Sequence, residues 1–158
     1  MKKLIAKDVM TRAVLVAKAD WPLDRLAEFL IENGISGAPV TDEERTLFGV
    51  VSLTDLVRHD SLPVREPTSH ALHDYYRYTL AQQYAQEELA SFRVEGDATV
   101  TVQDIMTPTI YNVDEGTSVQ RVAEIMTQGQ IHRLFVTRDG KVEGIITTLD
   151  MLKVIRDL

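Results

Sequence analysis

The sequence contains no cysteine and no long apolar run. The first absence excludes disulfides, thiolate metal sites and cysteine nucleophiles from all 158 residues. No apolar stretch approaches the roughly 20 residues that a membrane-spanning helix needs. The start of the chain, Met1–Asp8, carries positive charge without the apolar region of a secretory signal. We therefore expect a soluble, cytoplasmic protein that does not work in a membrane.

Positive charge is also scarce. The chain has 17 lysines and arginines against 24 aspartates and glutamates, which gives a formal net charge of −7. Nucleic acids are bound through clustered Lys and Arg side chains, and the sequence shows no such cluster. Nucleic acid is therefore not expected as a partner. A small anion remains possible, because a few local cations and helix N-termini suffice to bind one.

The motifs of common catalytic sites are missing as well. We find no Ser-x-x-Lys, no Gly-x-Ser-x-Gly, no Walker-type phosphate loop and no zinc-protease motif. His70, His73 and Asp74 have a spacing that places their side chains on one helix face, as a metal site requires. Three such residues near a helix start are more often solvated polar groups, so we predict neither a metal site nor an enzyme.

What the sequence does contain is a repeat. Asp8-Val9-Met10-Thr11 returns as Asp104-Ile105-Met106-Thr107 with an offset of 96 residues, and Gly49–Asp55 returns as Gly144–Asp150 with an offset of 95. The apolar positions between them also match: Leu23, Leu26, Ala27 and Phe29 correspond to Val119, Val122, Ala123 and Ile125. Matches kept in order at offsets that differ by only one residue indicate a duplicated structural unit.

Each repeat has the pattern strand, helix, strand, strand, helix. In the first repeat the predicted order is a strand at 13–16, a helix at 22–33 with Asp20 as a candidate cap, strands at 38–40 and 47–52, and a helix at 53–59. In the second it is a strand at 110–113, a helix at 117–129 capped by Thr117 or Ser118, strands at 134–137 and 142–147, and a helix at 149–158. Gly34 is predicted to end the first long helix, and Asp139-Gly140 to form a hairpin turn.

The segment from residue 59 to residue 101 belongs to neither repeat. We therefore divide the chain into a first repeat (1–58), an insert (59–101) and a second repeat (102–158). The stretch from Ser69 to about Phe92 lacks Gly and Pro, which predicts a long helix. It either covers part of the core or forms an interaction surface. The second possibility is suggested by four tyrosines, at positions 75, 76, 78 and 84, because tyrosine is favoured at interfaces.

The paired Asp-x-Met-Thr and Gly-x-x-Ser/Thr-x-x-Asp motifs resemble those of the CBS domain, named for cystathionine β-synthase. Two copies in one chain resemble a CBS pair, also called a Bateman module, and the resemblance covers residues 1–58 and 102–158. It implies an α/β (α+β) fold of two βαββα repeats related by pseudo-twofold symmetry, with the predicted long helix inserted between them.

The Ser/Thr-x-x-Asp pairs are the first candidate binding residues. Ser52 and Thr147 each stand at the end of a strand and the start of a helix, where a hydroxyl caps the helix and the positive end of the helix dipole favours phosphate. Asp55 and Asp150 follow in the first turn, where a carboxylate is able to accept hydrogen bonds from ribose hydroxyls. The alternative is a capping box, in which each Asp only returns a hydrogen bond to its own helix.

A second candidate pair is His132-Arg133, which is similar to a His-Arg pair that faces the phosphates in nucleotide-binding CBS repeats. Arg133 is suited to bind a phosphate through two parallel hydrogen bonds, and His132 adds a donor or a pH-dependent charge. The alternative is two polar residues at an exposed strand start. The first repeat has Ser36-Gly37 at these positions, so we expect two unequal sites.

The resemblance also implies an apolar slot for adenine, lined by the first strand and by the residues before the second. Each of the corresponding residues is equally compatible with an ordinary core position. They are Thr11, Val14, Ile35, Val51, Thr107, Ile110, Ile131 and Ile146.

The resemblance implies a regulatory module rather than an enzyme. The predicted ligand is an adenine nucleotide (AMP, ADP or ATP), bound between the two repeats as a regulatory ligand and not as a catalytic cofactor. Binding is expected to change the conformation read by a protein client that the sequence does not identify. One alternative is an S-adenosylmethionine sensor, and another is a structural module that assembles as a homodimer with little or no ligand binding.

Overall fold

The computed structural model describes residues 3–61, 74–77 and 99–158. In chain order the described elements are α1 (Ala6–Val9), β1 (Ala17–Lys18), α2 (Leu23–Glu32), β2 (Gly37–Thr41), β3 (Leu47–Ser52), α3 (Leu53–Ser61), α4 (Asp74–Arg77), α5 (Val102–Ile105), β4 (Asn112–Asp114), α6 (Val119–Gly129), β5 (Arg133–Arg138), β6 (Lys141–Thr147) and α7 (Thr148–Arg156). They form two compact units. The central unit comprises residues 15–110, and the terminal unit comprises residues 1–14 with 111–158.

The central unit contains a three-stranded sheet in the order β1-β2-β3. Strand β1 is parallel to β2, and β2 is antiparallel to β3. Helix α2 contributes Leu26 and Leu30 to a hydrophobic core that also contains Val40 and Val51 from the sheet. Gly34 follows the helix with φ of 61°, a conformation that glycine adopts without steric cost, and this confirms Gly34 as the predicted end of the helix.

The terminal unit repeats this arrangement with the sheet order β4-β5-β6. Helix α6 is capped by Ser118, whose Oγ accepts a hydrogen bond from the Arg121 backbone N–H at 3.3 Å. Strands β5 and β6 are joined at Asp139 and Gly140, with φ values of 51° and 76°. Positive φ at both positions is what a tight two-residue hairpin turn requires, and this confirms the predicted turn. The two small mixed sheets with their helices confirm the predicted α/β fold class.

The Asp-x-Met-Thr segment of each repeat packs on the sheet of the other repeat. Thr11 and Ile145 of β6 exchange two backbone hydrogen bonds of 2.9 Å, and Thr107 and Val50 of β3 exchange bonds of 2.8 and 2.9 Å. Neither compact unit is therefore a continuous stretch of one repeat. The division into 1–58, 59–101 and 102–158 stays a prediction about the repeats, distinct from the two units.

The aspartate of each Asp-x-Met-Thr segment caps a four-residue helix that the sequence did not predict. Asp8 accepts the backbone N–H of Ile5 at 3.1 Å before α1, and Asp104 accepts that of Thr101 at 2.8 Å before α5. One helical turn is too short to produce an apolar periodicity. In the sequence, only the position of the aspartate could have indicated these two short helices.

Several predicted elements differ from the structure. Strand β1 lies later than the predicted 13–16, whereas β4 overlaps the predicted 110–113 at residues 112–113. Both strands begin late because the chain first pairs at Thr11 and Thr107 with the other repeat's sheet. Asp20 does not cap α2, which begins after Pro22 without a side-chain cap. Of the long helix predicted from Ser69 to Phe92, α4 is helical and the rest lies outside the described residues, as do His70 and His73.

For two of the four tyrosines of the insert the structure agrees with coverage of the core and contradicts the alternative of an interaction surface. Tyr76 is fully buried and Tyr75 is 8 % exposed, because both rings pack into the central unit. Tyr78 and Tyr84 lie outside the described residues. Within the stretches that the structure describes, no helix is long and apolar enough to cross a membrane.

Candidate functional site

In the terminal unit the candidate site is at the junction of β6 and α7. Thr147 caps the helix, and its Oγ1 accepts the Asp150 backbone N–H at 3.4 Å. In return Asp150 Oδ2 accepts the Thr147 backbone N–H at 2.9 Å and the Thr147 hydroxyl at 3.0 Å. The motif is therefore a capping box in this structure, the alternative that the sequence left open.

The other carboxylate oxygen of Asp150 binds a cation that sequence analysis did not single out. Lys153 Nζ donates a hydrogen bond to Asp150 Oδ1 at 3.0 Å, one helical turn further along α7. Burial acts to raise the pKa of Asp150, but the hydrogen bonds from Thr147 and Lys153 and the charge of Lys153 outweigh it, so this pKa is lowered. The Asp-x-x-Lys spacing is a recognisable i,i+3 ion-pair signal.

Arg133 and His132 lie beside this junction. Arg133 is the cross-strand partner of Thr147 in the β5-β6 hairpin. The carbonyl of His132 accepts the backbone N–H of Thr148, the first residue of α7, at 3.0 Å. Arg133 is half-buried and His132 is exposed. The fold thus brings the predicted His-Arg pair to the N-terminus of α7.

The central unit places its equivalent residues in the same way but surrounds them differently. Gly37 is the cross-strand partner of Ser52, and the Ser36 carbonyl accepts the Leu53 backbone N–H at 2.9 Å. Asp55 Oδ2 accepts the Ser52 backbone N–H at 2.8 Å and its hydroxyl at 3.2 Å. This Ser52–Asp55 pair lacks an arginine or histidine at the strand start, because Ser36 and Gly37 stand there.

The exchange of the first segments decides which predicted slot residues belong together. Thr11 and Val14 lie in the terminal unit with Ile131 and Ile146, whereas Thr107 and Ile110 lie in the central unit with Ile35 and Val51. Each unit thus contains four of the predicted slot residues, two from each repeat.

Three of these slot candidates are deeply buried. Val51 belongs to the hydrophobic core of the central unit, and Ile131 and Ile146 are buried in the terminal unit. Their burial agrees with the alternative of ordinary core positions. Thr11 is exposed and Val14 half-buried, so in the terminal unit the accessible part of the predicted wall is the first segment.

Comparison with known proteins identifies the family. The CBS domain model matches residues 6–62 and 102–157. The chain belongs to the CBS domain family. The two matched regions are the two repeats, each with its own Asp-x-Met-Thr segment.

Relatives of this chain include CBS proteins of Arabidopsis thaliana and Sphaerobacter thermophilus. It is 35% identical over 133 residues to the chloroplastic CBS domain-containing protein CBSX1 of Arabidopsis thaliana, covering 84% of this chain and 55% of CBSX1. The structure is similar to that of Arabidopsis CBSX2 in complex with AMP (27% identity, TM-score 0.65, covering 98% of this chain and 97% of that one). A CBS domain of a Sphaerobacter thermophilus membrane protein is similar as well (27% identity, TM-score 0.64, 96% and 87% covered). This chain spans about half the length of the curated CBSX relatives it matches.

Proposed function

We propose that this CBS pair is a regulatory module that binds an adenine nucleotide, AMP, ADP or ATP, in its terminal unit. The observation that carries the proposal is the convergence of Arg133, Thr147 and Asp150 at the N-terminus of α7. This arrangement combines a cation, a hydroxyl and a carboxylate beside the positive end of a helix dipole. The similarity to CBSX2, whose structure is in complex with AMP, supports the same ligand class.

The hydrogen bonds already present assign the roles in this proposal. The Thr148 N–H is bound to the His132 carbonyl and the one Thr147 hydroxyl proton is donated to Asp150 Oδ2, so the phosphate is assigned to the Arg133 guanidinium. A carboxylate has about four lone-pair sites. Those of Asp150 already accept bonds from Thr147 and from Lys153, so the ribose hydroxyls would share or replace the Lys153 bond at Oδ1.

Lys153 thereby acquires a role in the proposed site. Its side chain is 62% exposed, so the ammonium is readily hydrated when it leaves Asp150. Released from the carboxylate, it would add a second cation near the nucleotide. The regulatory effect would be a population shift, whose size is limited by the difference in ligand affinity between two conformations. No catalytic step is part of the proposal.

Thermal unfolding tests the proposal with AMP, ADP, ATP, GTP and S-adenosylmethionine. A ligand at 100 times its dissociation constant adds about 2.7 kcal/mol, which raises the midpoint by roughly 5–10 °C for a chain of this size. We expect a rise with an adenine nucleotide that disappears in the Asp150→Ala variant and persists in Asp157→Ala, which removes an exposed carboxylate near the end of the same chain. A full shift with GTP, or none with any adenine compound, contradicts the proposal.

The Arg133→Ala variant separates two ligand classes. Loss of the AMP shift in this variant supports the phosphate contact. The alternative sensor is supported if S-adenosylmethionine raises the midpoint of the Arg133→Ala variant as much as that of the wild type, and if AMP does not raise the midpoint of the wild type.

The alternative of a structural homodimer is favoured by one observation. Leu149, Leu152 and Ile155 are 65, 57 and 64% exposed, and they follow one another at three-residue spacing along α7. An exposed apolar stripe of this kind is typical of a protein contact. A homodimer, a protein client and a cytoplasmic location stay predictions.

A further inference from the structure

The central unit holds two aromatic rings at its own candidate site. Tyr75 lies directly over Gly37: a Cβ atom placed on Gly37 would be 2.7 Å from Tyr75 Cδ2 and 3.0 Å from Cε2. Gly37 occupies the position that Arg133 has in the terminal unit, opposite the Ser/Thr of the motif. The ring therefore takes the space next to Gly37 into which a longer side chain at that position would extend.

Tyr76 contacts the first segment of the same site. Its hydroxyl donates a hydrogen bond to the Thr109 carbonyl at 2.9 Å, between the predicted wall residues Thr107 and Ile110. The rings of Tyr75 and Tyr76 meet edge to face, with centroids 5.4 Å apart. An adenine ring is also flat and carries an amino group that donates hydrogen bonds. Tyr76, with its ring and its donating hydroxyl, therefore resembles an adenine bound to the Thr109 carbonyl in shape and polarity.

Burial distinguishes the two units at matched positions. Thr107 is 9% and Ser36 is 6% exposed in the central unit, whereas Thr11 and His132 at the equivalent positions of the terminal unit are exposed to solvent. The first segment and the strand start are thus covered in one unit and accessible in the other. Both differences lie at candidate ligand positions.

We infer that Tyr75 and Tyr76 occupy the adenosine site of the central unit, so that the chain binds a single nucleotide, in the terminal unit. This inference rests on the proposed function for the identity of the ligand. It gives the insert a specific role, because one of its segments acts as an internal substitute for a ligand. The central site becomes available to a nucleotide only when the two rings leave it.

Titration calorimetry with AMP tests this stoichiometry in the wild type and four variants. We expect one AMP per chain for the wild type, none for Asp150→Ala, two for Tyr75→Ala/Tyr76→Ala, and one for the triple variant that combines these changes. The Tyr76→Phe control keeps the ring and should still bind one. A triple variant without binding, or a wild type that binds two AMP molecules, overturns the inference.

The same experiment separates this inference from the proposed function. If the wild type binds no AMP but the tyrosine double variant binds one, the tyrosines do cover a site, and the proposed terminal site is wrong. If the wild type binds one AMP and the double variant also binds only one, the proposed function stands and the inference fails.

A measurement on the wild type covers the case in which the double variant does not fold. In amide NMR spectra, saturating AMP should shift the signals of Thr147 and Thr148 and leave those of Ser52 and Leu53 in place. Saturable shifts of Ser52 and Leu53 would show an accessible central site and overturn the inference.

Discussion

At the scale of single residues, the glycine of each Gly-x-x-Ser/Thr-x-x-Asp motif marks a close crossing of two backbone segments. A Cβ atom on Gly49 would lie against the Thr107 carbonyl oxygen, and one on Gly144 would lie 2.9 Å from the Thr11 carbonyl oxygen. Neither glycine has a positive φ, so the close approach rather than backbone strain requires the missing side chain.

The Gly49→Ala substitution tests this explanation. The added methyl group meets a backbone atom that cannot rotate away, so we expect the free energy of unfolding to fall by about 1–3 kcal/mol, the usual cost of overpacking. Urea denaturation measures the change. Gly129→Ala is the matched control, because its nearest neighbours would be at 3.5 Å or more, and it should not lose stability. Equal effects of the two substitutions would contradict the explanation.

Asp150 makes the stability of the chain depend on pH. Its pKa is lower in the folded protein, so its ionised form contributes stability that is fully present above the ordinary carboxyl pKa of about 3.9 and is lost as the pH falls through the folded value. Asp150→Asn should therefore destabilise the protein at pH 7 by about 1–2 kcal/mol, a typical cost of weakening a charged cap.

Denaturation at pH 7, 5, 4 and 3 checks this dependence. The difference between the wild type and Asp150→Asn should be constant at the higher pH values and shrink toward pH 3. Asp139→Asn, in the exposed hairpin turn, serves as the charge-matched control. A difference that does not change with pH would show that the carboxylate charge contributes nothing.

At the scale of secondary structure, helix α7 carries two candidate functions. Its N-terminus carries the candidate nucleotide site, and its exposed stripe of Leu149, Leu152 and Ile155 is the candidate dimer contact. Because both lie on one helix, a ligand that changes the position of α7 would also change the stripe. The two candidate functions are therefore compatible with each other.

The Leu152→Glu substitution tests the dimer contact. A charge in the middle of the stripe should convert a dimer to a monomer, because burying an unpaired carboxylate is costly. Light scattering after size exclusion measures the mass. The thermal unfolding of the separated monomer should remain cooperative, which would show that the variant is folded. Gln128→Glu adds the same charge at an exposed position of α6 and should leave the mass unchanged. A wild type that is already monomeric contradicts the homodimer prediction.

The secondary structure could be predicted where the sequence has a strong local signal. Apolar spacing and Gly34 predicted α2, and Asp139-Gly140 predicted the hairpin turn. The prediction of the first strand was wrong in the first repeat and partly right in the second, where β4 overlaps the predicted range at 112–113. The short helices α1 and α5 were missed. These segments are short, and the other repeat's sheet, rather than their own propensity, decides their conformation.

At the scale of the whole molecule, the two units have the same framework and different sites. The terminal unit combines the first Asp-x-Met-Thr segment with Arg133, Thr147 and Asp150. The central unit combines the second segment with Ser36, Gly37 and Ser52, and it adds Tyr75 and Tyr76 from the insert. A duplication that began with equivalent halves thus offers one accessible arrangement of binding groups and one that the chain covers itself.

The sequence by itself determined the repeat, the family and the residue types of the candidate site, because these depend on spacing within each repeat. It also predicted that the two sites are unequal, from Ser36-Gly37 against His132-Arg133. Only the tertiary structure decided which Asp-x-Met-Thr segment joins which sheet. Both segments carry the same motif and both sheets have a glycine at the crossing, so local sequence is compatible with either pairing. The position of Tyr75 and Tyr76 likewise depends on packing between residues far apart in the chain, which no local pattern encodes.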